Sequence, residues 1–195
     1  MGRGILLIEI LLRSLLPPFY SFSQIEGICK QKLKKNPGNK DVLWFLSNHY
    51  INHKKYEESK PYIEALFEME KDKRSVRFLL ARVYYNLGNY GKVKEILQQN
   101  ELLLPTDREN LYLGVSLIEL KEFGSAIGYI LNYLSQYKDN YEPYVKLGYA
   151  YYKQGLFDLA LEAYKNAEKL NPQSSEIKES ISLCYQKRGN QEHNV

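Results

Sequence analysis

At 195 residues the chain is long enough for one ordinary domain, and its 44% hydrophobic content is that of a folded soluble protein. Net charge is only +4 and unevenly placed: residues 1–40 hold seven basic side chains (Arg3, Arg13, Lys30, Lys32, Lys34, Lys35, Lys40) against Glu9 and Glu26, leaving 20 basic and 21 acidic of the chain's 27 and 23. A nucleic-acid-binding protein would carry a basic stripe along its surface, so no nucleic-acid partner is expected.

The first element is an almost unbroken run of Ile and Leu over residues 5–16, interrupted by Glu9 and Arg13 and stopped by Pro17 and Pro18. It is too short for a membrane-spanning helix, which needs about 20 apolar residues. It also makes a poor signal peptide, because charges break the apolar run and no small-x-small cleavage site follows. Glu9 and Arg13 are four apart and pair along a narrow polar stripe. Three readings stay open: helix A of a degenerate first repeat, an amphipathic helix making peripheral membrane contact with help from nearby lysines, or a targeting segment. The first is favoured. Deleting residues 1–20 separates the first two. Loss of a packed helix lowers the melting temperature or causes aggregation, whereas loss of a membrane helix leaves a soluble, well-folded protein by size exclusion and circular dichroism.

The rest of the chain reads as paired helices. Apolar residues recur three and four apart, as in Ile127 with Ile130 and Leu131, or Leu147 with Tyr151. No stretch alternates with period two for long enough to make a sheet, so the fold class is all-α. A leucine recurs at Leu12, Leu46, Leu80, Leu113 and Leu147; the next position is small at Ser47, Ala81, Gly114 and Gly148 and fails only at Arg13. An aromatic recurs at Phe22, Tyr56, Tyr90, Phe123 and Phe157, followed three residues on by Ile25, Ser59, Val93, Ala126 and Ala160. Pro37, Pro105 and Pro172 close three units, with Lys71 and Lys138 in the other two. Units beginning at 6, 40, 74, 107 and 141 are spaced by 34, 34, 33 and 34 residues.

These slots are clearest over residues 141–174, where Tyr144, Leu147, Gly148, Tyr151, Gly155, Phe157, Ala160, Tyr164, Ala167 and Pro172 resemble the tetratricopeptide repeat (TPR) family. The resemblance covers residues 6–188 and weakens toward the N-terminus. Each slot has a physical reason. Small residues let two helices cross closely, glycine at Gly88 and Gly155 ends a helix in a left-handed conformation, and proline cannot continue one. The resemblance implies a right-handed superhelix of antiparallel helix pairs, an α-solenoid. On this reading residues 1–39 form an apolar and basic segment with a degenerate first repeat. Full repeats occupy 40–73, 74–106, 107–140 and 141–174. A capping helix spans 175–188, and 189–195 is a frayed tail.

Catalytic chemistry is hard to place on this chain. It has no Gly-rich phosphate loop, no nucleophile elbow and no cysteine pair at metal spacing. His49 and His53 are four apart on one helix but lack the intervening glutamate and a third ligand. Glu57 with Glu58, and Asp107 with Glu109, belong to turns or first helical turns, where acids complement the helix dipole. Cys29 and Cys184 lie near opposite ends of the array and are expected to be free thiols, which fits a reducing, cytoplasmic location. Membrane association is left open by residues 5–16. The expectation is no enzyme, no catalytic residues, no metal and no cofactor.

What the TPR resemblance implies instead is a surface. In that family the A helices line a concave groove that holds protein or peptide partners. The inward stripe here is Trp44, Asn48, Ile51 and Asn52; Phe78, Arg82, Tyr85 and Asn86; Leu111, Val115, Ile118 and Glu119; Val145, Tyr149, Tyr152 and Lys153. The spacing i, i+4, i+7 puts the first three of each set on one helix face. Neighbouring helices are expected to cover part of it, above all Ile51, Tyr85, Ile118 and Tyr152. The candidate partner-binding residues are therefore Trp44, Asn48, Asn52, Phe78, Arg82, Tyr85, Asn86, Leu111, Tyr149, Tyr152 and Lys153, in a non-catalytic interaction scaffold. Family members that clamp the acidic C-termini of chaperones use a lysine–asparagine pair, an asparagine and a lysine–arginine pair on successive A helices. Those places hold Trp44, Asn48, Leu79, Arg108 and Tyr112 in one register, and Phe78, Arg82, Tyr112, Glu142 and Lys146 in the next. Carboxylate-clamp chaperone binding is disfavoured. The alternative function is a membrane-associated assembly factor docked through its N-terminal helix.

Overall fold

The computed structural model describes residues 21–98 and 105–192. The apolar run at 5–16, its three readings and the slots at Leu12 and Arg13 lie outside the described residues. The chain forms two compact units that divide between Gly88 and Asn89. Every described secondary-structure element in both is an α-helix or a turn.

The first unit contains α1 (Phe22–Lys35), α2 (Lys40–Asn52), α3 (Tyr56–Met69) and α4 (Arg74–Asn86), each packed on its neighbour in sequence. Three lysines in the last turn of α1, Lys32, Lys34 and Lys35, complement its negative end. Asn39 caps α2 by accepting from the Val42 amide at 3.2 Å. The α2–α3 crossing is close because Ser47 and Ser59 are both small and fully buried; the Ser59 hydroxyl donates to the Ser47 carbonyl at 3.0 Å. Cys29, Val42, Leu46 and Tyr50 form a core cluster, with Phe22, Ile25, Leu33, Phe45 and Tyr62 against it. Two buried tyrosines reach back to a glutamate one helix earlier or on the preceding helix pair: Tyr50 donates to Glu26 and Tyr84 donates to Glu64. Lys30 first, and Tyr50 second, hold the Glu26 carboxyl below its ordinary pKa.

The second unit contains α5 (Tyr90–Gln98), α6 (Asp107–Glu119), α7 (Phe123–Gln136), α8 (Tyr141–Lys153), α9 (Phe157–Leu170) and α10 (Ser175–Glu192), again packed in sequence order, with α6 also touching α8. A reciprocal pair of bonds between Thr106 and Glu109 starts α6, and Asn140 caps α8 by accepting from the Glu142 amide at 3.1 Å. A Cβ at Gly114 would lie 2.7 Å from Ile130 Cγ1, and one at Gly148 would lie 2.8 Å from Tyr164 Cδ1. Those contacts are why α6 crosses α7, and α8 crosses α9, at glycine. Ala160, Leu161, Tyr164, Ala167, Ile177 and Cys184 form the core cluster beneath α8 and α10.

One expectation is corrected at the C-terminus. The capping helix does not stop at 188 with a frayed tail from 189; α10 runs through Gly189 to Glu192. Gly189 costs helix stability but does not take the left-handed conformation that ends a helix, and neither a proline nor a capping motif follows it. Residues 193–195 lie outside the described residues.

The turn between paired helices repeats a backbone feature that the side chains conceal. Lys54 (φ 58°) and Gly88 (φ 72°) in the first unit, and Lys121 (φ 62°) and Gly155 (φ 75°) in the second, are all left-handed. The residue after three of them closes the helix end by donating to the carbonyl five residues back: Lys55 to Tyr50, Glu122 to Leu117 and Leu156 to Tyr151, at 2.8 to 3.0 Å. A non-glycine residue pays roughly 1–2 kcal/mol for that conformation. Lys54→Gly and Lys121→Gly are therefore each expected to stabilise the protein by about 0.5–1 kcal/mol, after the entropy cost of glycine. Gly155→Ala should destabilise it by about 1 kcal/mol or more. Urea melts of the three variants measure this.

Candidate partner-binding surface

In the first unit the candidate residues come from α2 and α4. Trp44 is half-buried, and the ammonium of Lys73 lies 5.7 Å from its ring centroid, within cation–π range. Lys73 is held there by Glu70, whose carboxylate also takes Lys40; the two contacts are 3.0 and 3.2 Å. Those lysines, Lys73 first, keep Glu70 below the ordinary carboxylate pKa. Asn48 is half-buried and Asn86 exposed; each donates its Nδ2 to the carbonyl one turn back, Asn48 to Trp44 at 2.9 Å and Asn86 to Arg82 at 2.7 Å. That bond fixes the amide and turns its oxygen into the available acceptor. Phe78, Arg82 and Tyr85 are half-buried and Asn52 is exposed, while Ile51, on the same stripe, is sealed in the core.

In the second unit they come from α6 and α8. Leu111 is half-buried, and the stripe residues Val115 and Ile118 are buried. Tyr149 is 39% exposed. Its ring meets Phe123 edge-on at 5.9 Å, and the Lys153 ammonium stands 5.2 Å from its centroid. Tyr152 is half-buried against Phe157, 5.5 Å between centroids. Lys146 and Glu119, one on each A helix, form an exposed ion pair at 3.2 Å.

The structure thus splits the sequence-derived stripe into two kinds of residue. Ile51, Val115 and Ile118 are taken up by packing, whereas Trp44, Tyr149, Tyr152 and the amides keep accessible surface. The residues that the stripe left out are Lys73, Glu70, Phe123 and Lys146. Lys73 and Glu70 sit in the turn before α4 and Phe123 in the aromatic turn slot, so an A-helix stripe does not reach them. The 27-residue separation of Glu119 and Lys146 is the signal that could have paired those two.

Other chemistry-bearing groups are occupied by packing. His49 stacks on Phe22 (3.4 Å between centroids, 9° between planes) and on His53 (4.2 Å). Among the described residues no group of three His, Cys, Asp or Glu side chains is placed to hold a metal ion. Cys29 and Cys184 are free and buried, and burial pushes both thiols up, away from the reactive thiolate. No described helix is long and apolar enough to cross a membrane.

Helix pairs at a 33–34-residue period, with small residues at the crossings, define a helical-repeat protein. Residues 52–133 match the family described as anaphase-promoting complex, cyclosome, subunit 3, and residues 141–174 match the tetratricopeptide repeat. The chain is a TPR-repeat protein, a kind that is typically non-catalytic. BBSome complex member BBS4 of Bos taurus is 30% identical over 111 residues, covering 56% of this chain but 21% of that protein, so the chain spans about a fifth of the length of this relative. Among solved structures, MamA MSR-1 has a TM-score of 0.71 at 18% identity over 80% of this chain and 90% of the MamA chain. YrrB, a TPR protein with an unusual peptide-binding site, has 0.70 at 14% identity over 83% and 84% of the two chains. These likenesses show the all-α TPR fold.

Proposed function

We propose that this protein is a non-catalytic scaffold that captures a peptide segment or partner protein on the A-helix stripes of its two units. The observation that carries the reading is the accessible aromatic under a lysine in each unit: Trp44 beneath Lys73 and Tyr149 beneath Lys153. An exposed aromatic offers large contact area at low entropic cost, and a neighbouring cation adds a polar contact at its rim. Asn48, Asn52, Arg82 and Asn86 supply hydrogen-bond groups for a ligand backbone or carboxylate, with Phe78, Tyr85, Leu111, Tyr152 and Lys153 beside them. YrrB's peptide-binding site and the complex membership of BBS4 support a protein partner.

A pull-down with the full-length protein beside its Trp44→Ala/Tyr149→Ala variant tests this. The reading expects partners retained by the wild type and lost by the variant. The competing reading, an assembly factor docked on a membrane through residues 5–16, expects co-sedimentation with anionic vesicles that removal of residues 1–20 abolishes.

A further inference from the structure

α7 is the one described helix without a charged side chain. Its inner face buries Ala126, Ile130 and Leu134. Its outer face holds Gly124, Ser125, Gly128, Leu131, Asn132 and Ser135, which share one side at helical spacing and are all exposed, Leu131 by 44%. Helices α3 and α9 keep their outer faces in water in the ordinary way, with Glu57, Glu58 and Glu68, and with Asp158, Glu162, Lys165 and Lys169. α7 turns out only small uncharged groups and a leucine.

The glycines of this face do not serve the chain's own packing. A Cβ at Gly124 or Gly128 would meet nothing within 4 Å, unlike one at Gly114 or Gly148. Glycine inside a helix lowers its stability relative to alanine, and no contact among the described residues offsets that loss. Gly27 and Gly91 are open too, but each is the only glycine of its helix and has a charged neighbour, Glu26 or Lys92. Gly124 and Gly128 stand one turn apart on one face beside Leu131, a shape that lets a second helix axis approach to about 8 Å. The flanks indicate which helix. Lys121 and Glu122 precede α7, and Lys138 and Asp139 follow it. Two antiparallel copies with their middles opposed set Lys121 against Asp139, and Glu122 against Lys138, at both ends. Parallel copies would set like charge against like. Glu122 is already held by Lys94, so the outer pair, Lys121 with Asp139, carries the preference. Such rim charges fix orientation more than affinity, and opposed helix dipoles favour the same arrangement.

We propose that the outer face of α7 docks a second copy of this chain, α7 against α7, antiparallel and crossing at Gly128 and Leu131. Leu131 of each copy lies over the glycines of the other, and Lys121 pairs with Asp139 across the two-fold axis. A single helix crossing is smaller than a standard protein interface, so the dimer is reversible and depends on concentration. The surface goes beyond the aromatic stripes and does not depend on them.

Sedimentation of the full-length protein from micromolar to millimolar concentration tests this. The wild type is expected to pass from monomer to dimer over that range. Gly128→Gln replaces the glycine by a better helix former that blocks close approach. It should melt at or above the wild type when dilute, yet weaken the dimer by about tenfold or more. Leu131→Glu should leave the circular dichroism unchanged and abolish the dimer. Lys121→Glu and Asp139→Lys should each weaken association, and the double variant should restore it. A 14-residue helix, about 21 Å long, separates those two residues within one chain, so only pairing between copies explains the rescue. A chain that stays monomeric throughout, or a dimer that Gly128→Gln and Leu131→Glu leave intact, overturns the proposal. So does a monomer whose Leu131 is covered only by a captured partner, which gives the face to that partner. Failure of the double charge variant to restore association overturns the antiparallel arrangement.

Discussion

Gly148→Leu is expected to destabilise the protein by about 1–3 kcal/mol or more, the range for overpacking a well-filled interior. At Gly148 even a methyl group meets the Tyr164 ring at 2.8 Å, and the rest of a leucine side chain has nowhere else to go. Tyr164 is buried within the α9 cluster, with Ala160 and Ala167 on its own helix and Ile177 and Cys184 on α10. The ring cannot swing out without dismantling that cluster. For a chain of this size each kcal/mol lowers the melting temperature by about 2–4 °C. If Gly148→Leu melted like the wild type, the crossing would not be where the repeat register puts it.

The second large effect concerns binding. Trp44→Ala and Tyr149→Ala are each expected to weaken capture of the partner by ~2 kcal/mol or more, the typical cost of losing an anchor aromatic. That corresponds to roughly thirtyfold in affinity. Neither belongs to the core clusters of its unit, so the melting temperature should move little. Tyr137→Ala is the control. Tyr137 is more exposed than Tyr149 and stacks only on Tyr133 among the ring contacts of α7, yet it lies off the A-helix stripe. Its loss should leave affinity unchanged. Titration of the purified partner by calorimetry reads all three.

Much of this architecture was legible because the repeat is written in side-chain size. Leu46, Leu80, Leu113 and Leu147 are buried, and the small residues beside them sit at the crossings. Those positions are decided by packing, which tolerates few residue types, so the sequence carries the signal directly. The left-handed turn was legible at Gly88 and Gly155 and hidden at Lys54 and Lys121. There the fold imposes the backbone conformation that the residue type would not choose, and only the 33–34-residue spacing hints at it. The capping helix expected over 175–188, followed by a polar frayed tail, instead continues through Gly189 to Glu192, because a single glycine costs helix stability without ending the helix.

The surface was legible in outline and less so in detail. Helical spacing assigned Trp44, Phe78 and Tyr149 to one face, but spacing cannot say how far a neighbouring helix covers that face. Ile51, Val115 and Ile118 went into packing for that reason. Nor could it bring Lys73 over Trp44, since Lys73 belongs to a turn whose path depends on the helices it joins.

The most direct test of the central claim is hydroxyl-radical footprinting of the full-length protein, alone and bound to its captured partner, read by mass spectrometry. Binding on the A-helix stripes predicts that Trp44 and Tyr149 lose reactivity in the complex while Tyr137 and Leu131 stay as reactive as before. Protection of Tyr137 and Leu131, with Trp44 and Tyr149 unchanged, would contradict the account and move the binding surface away from the A helices.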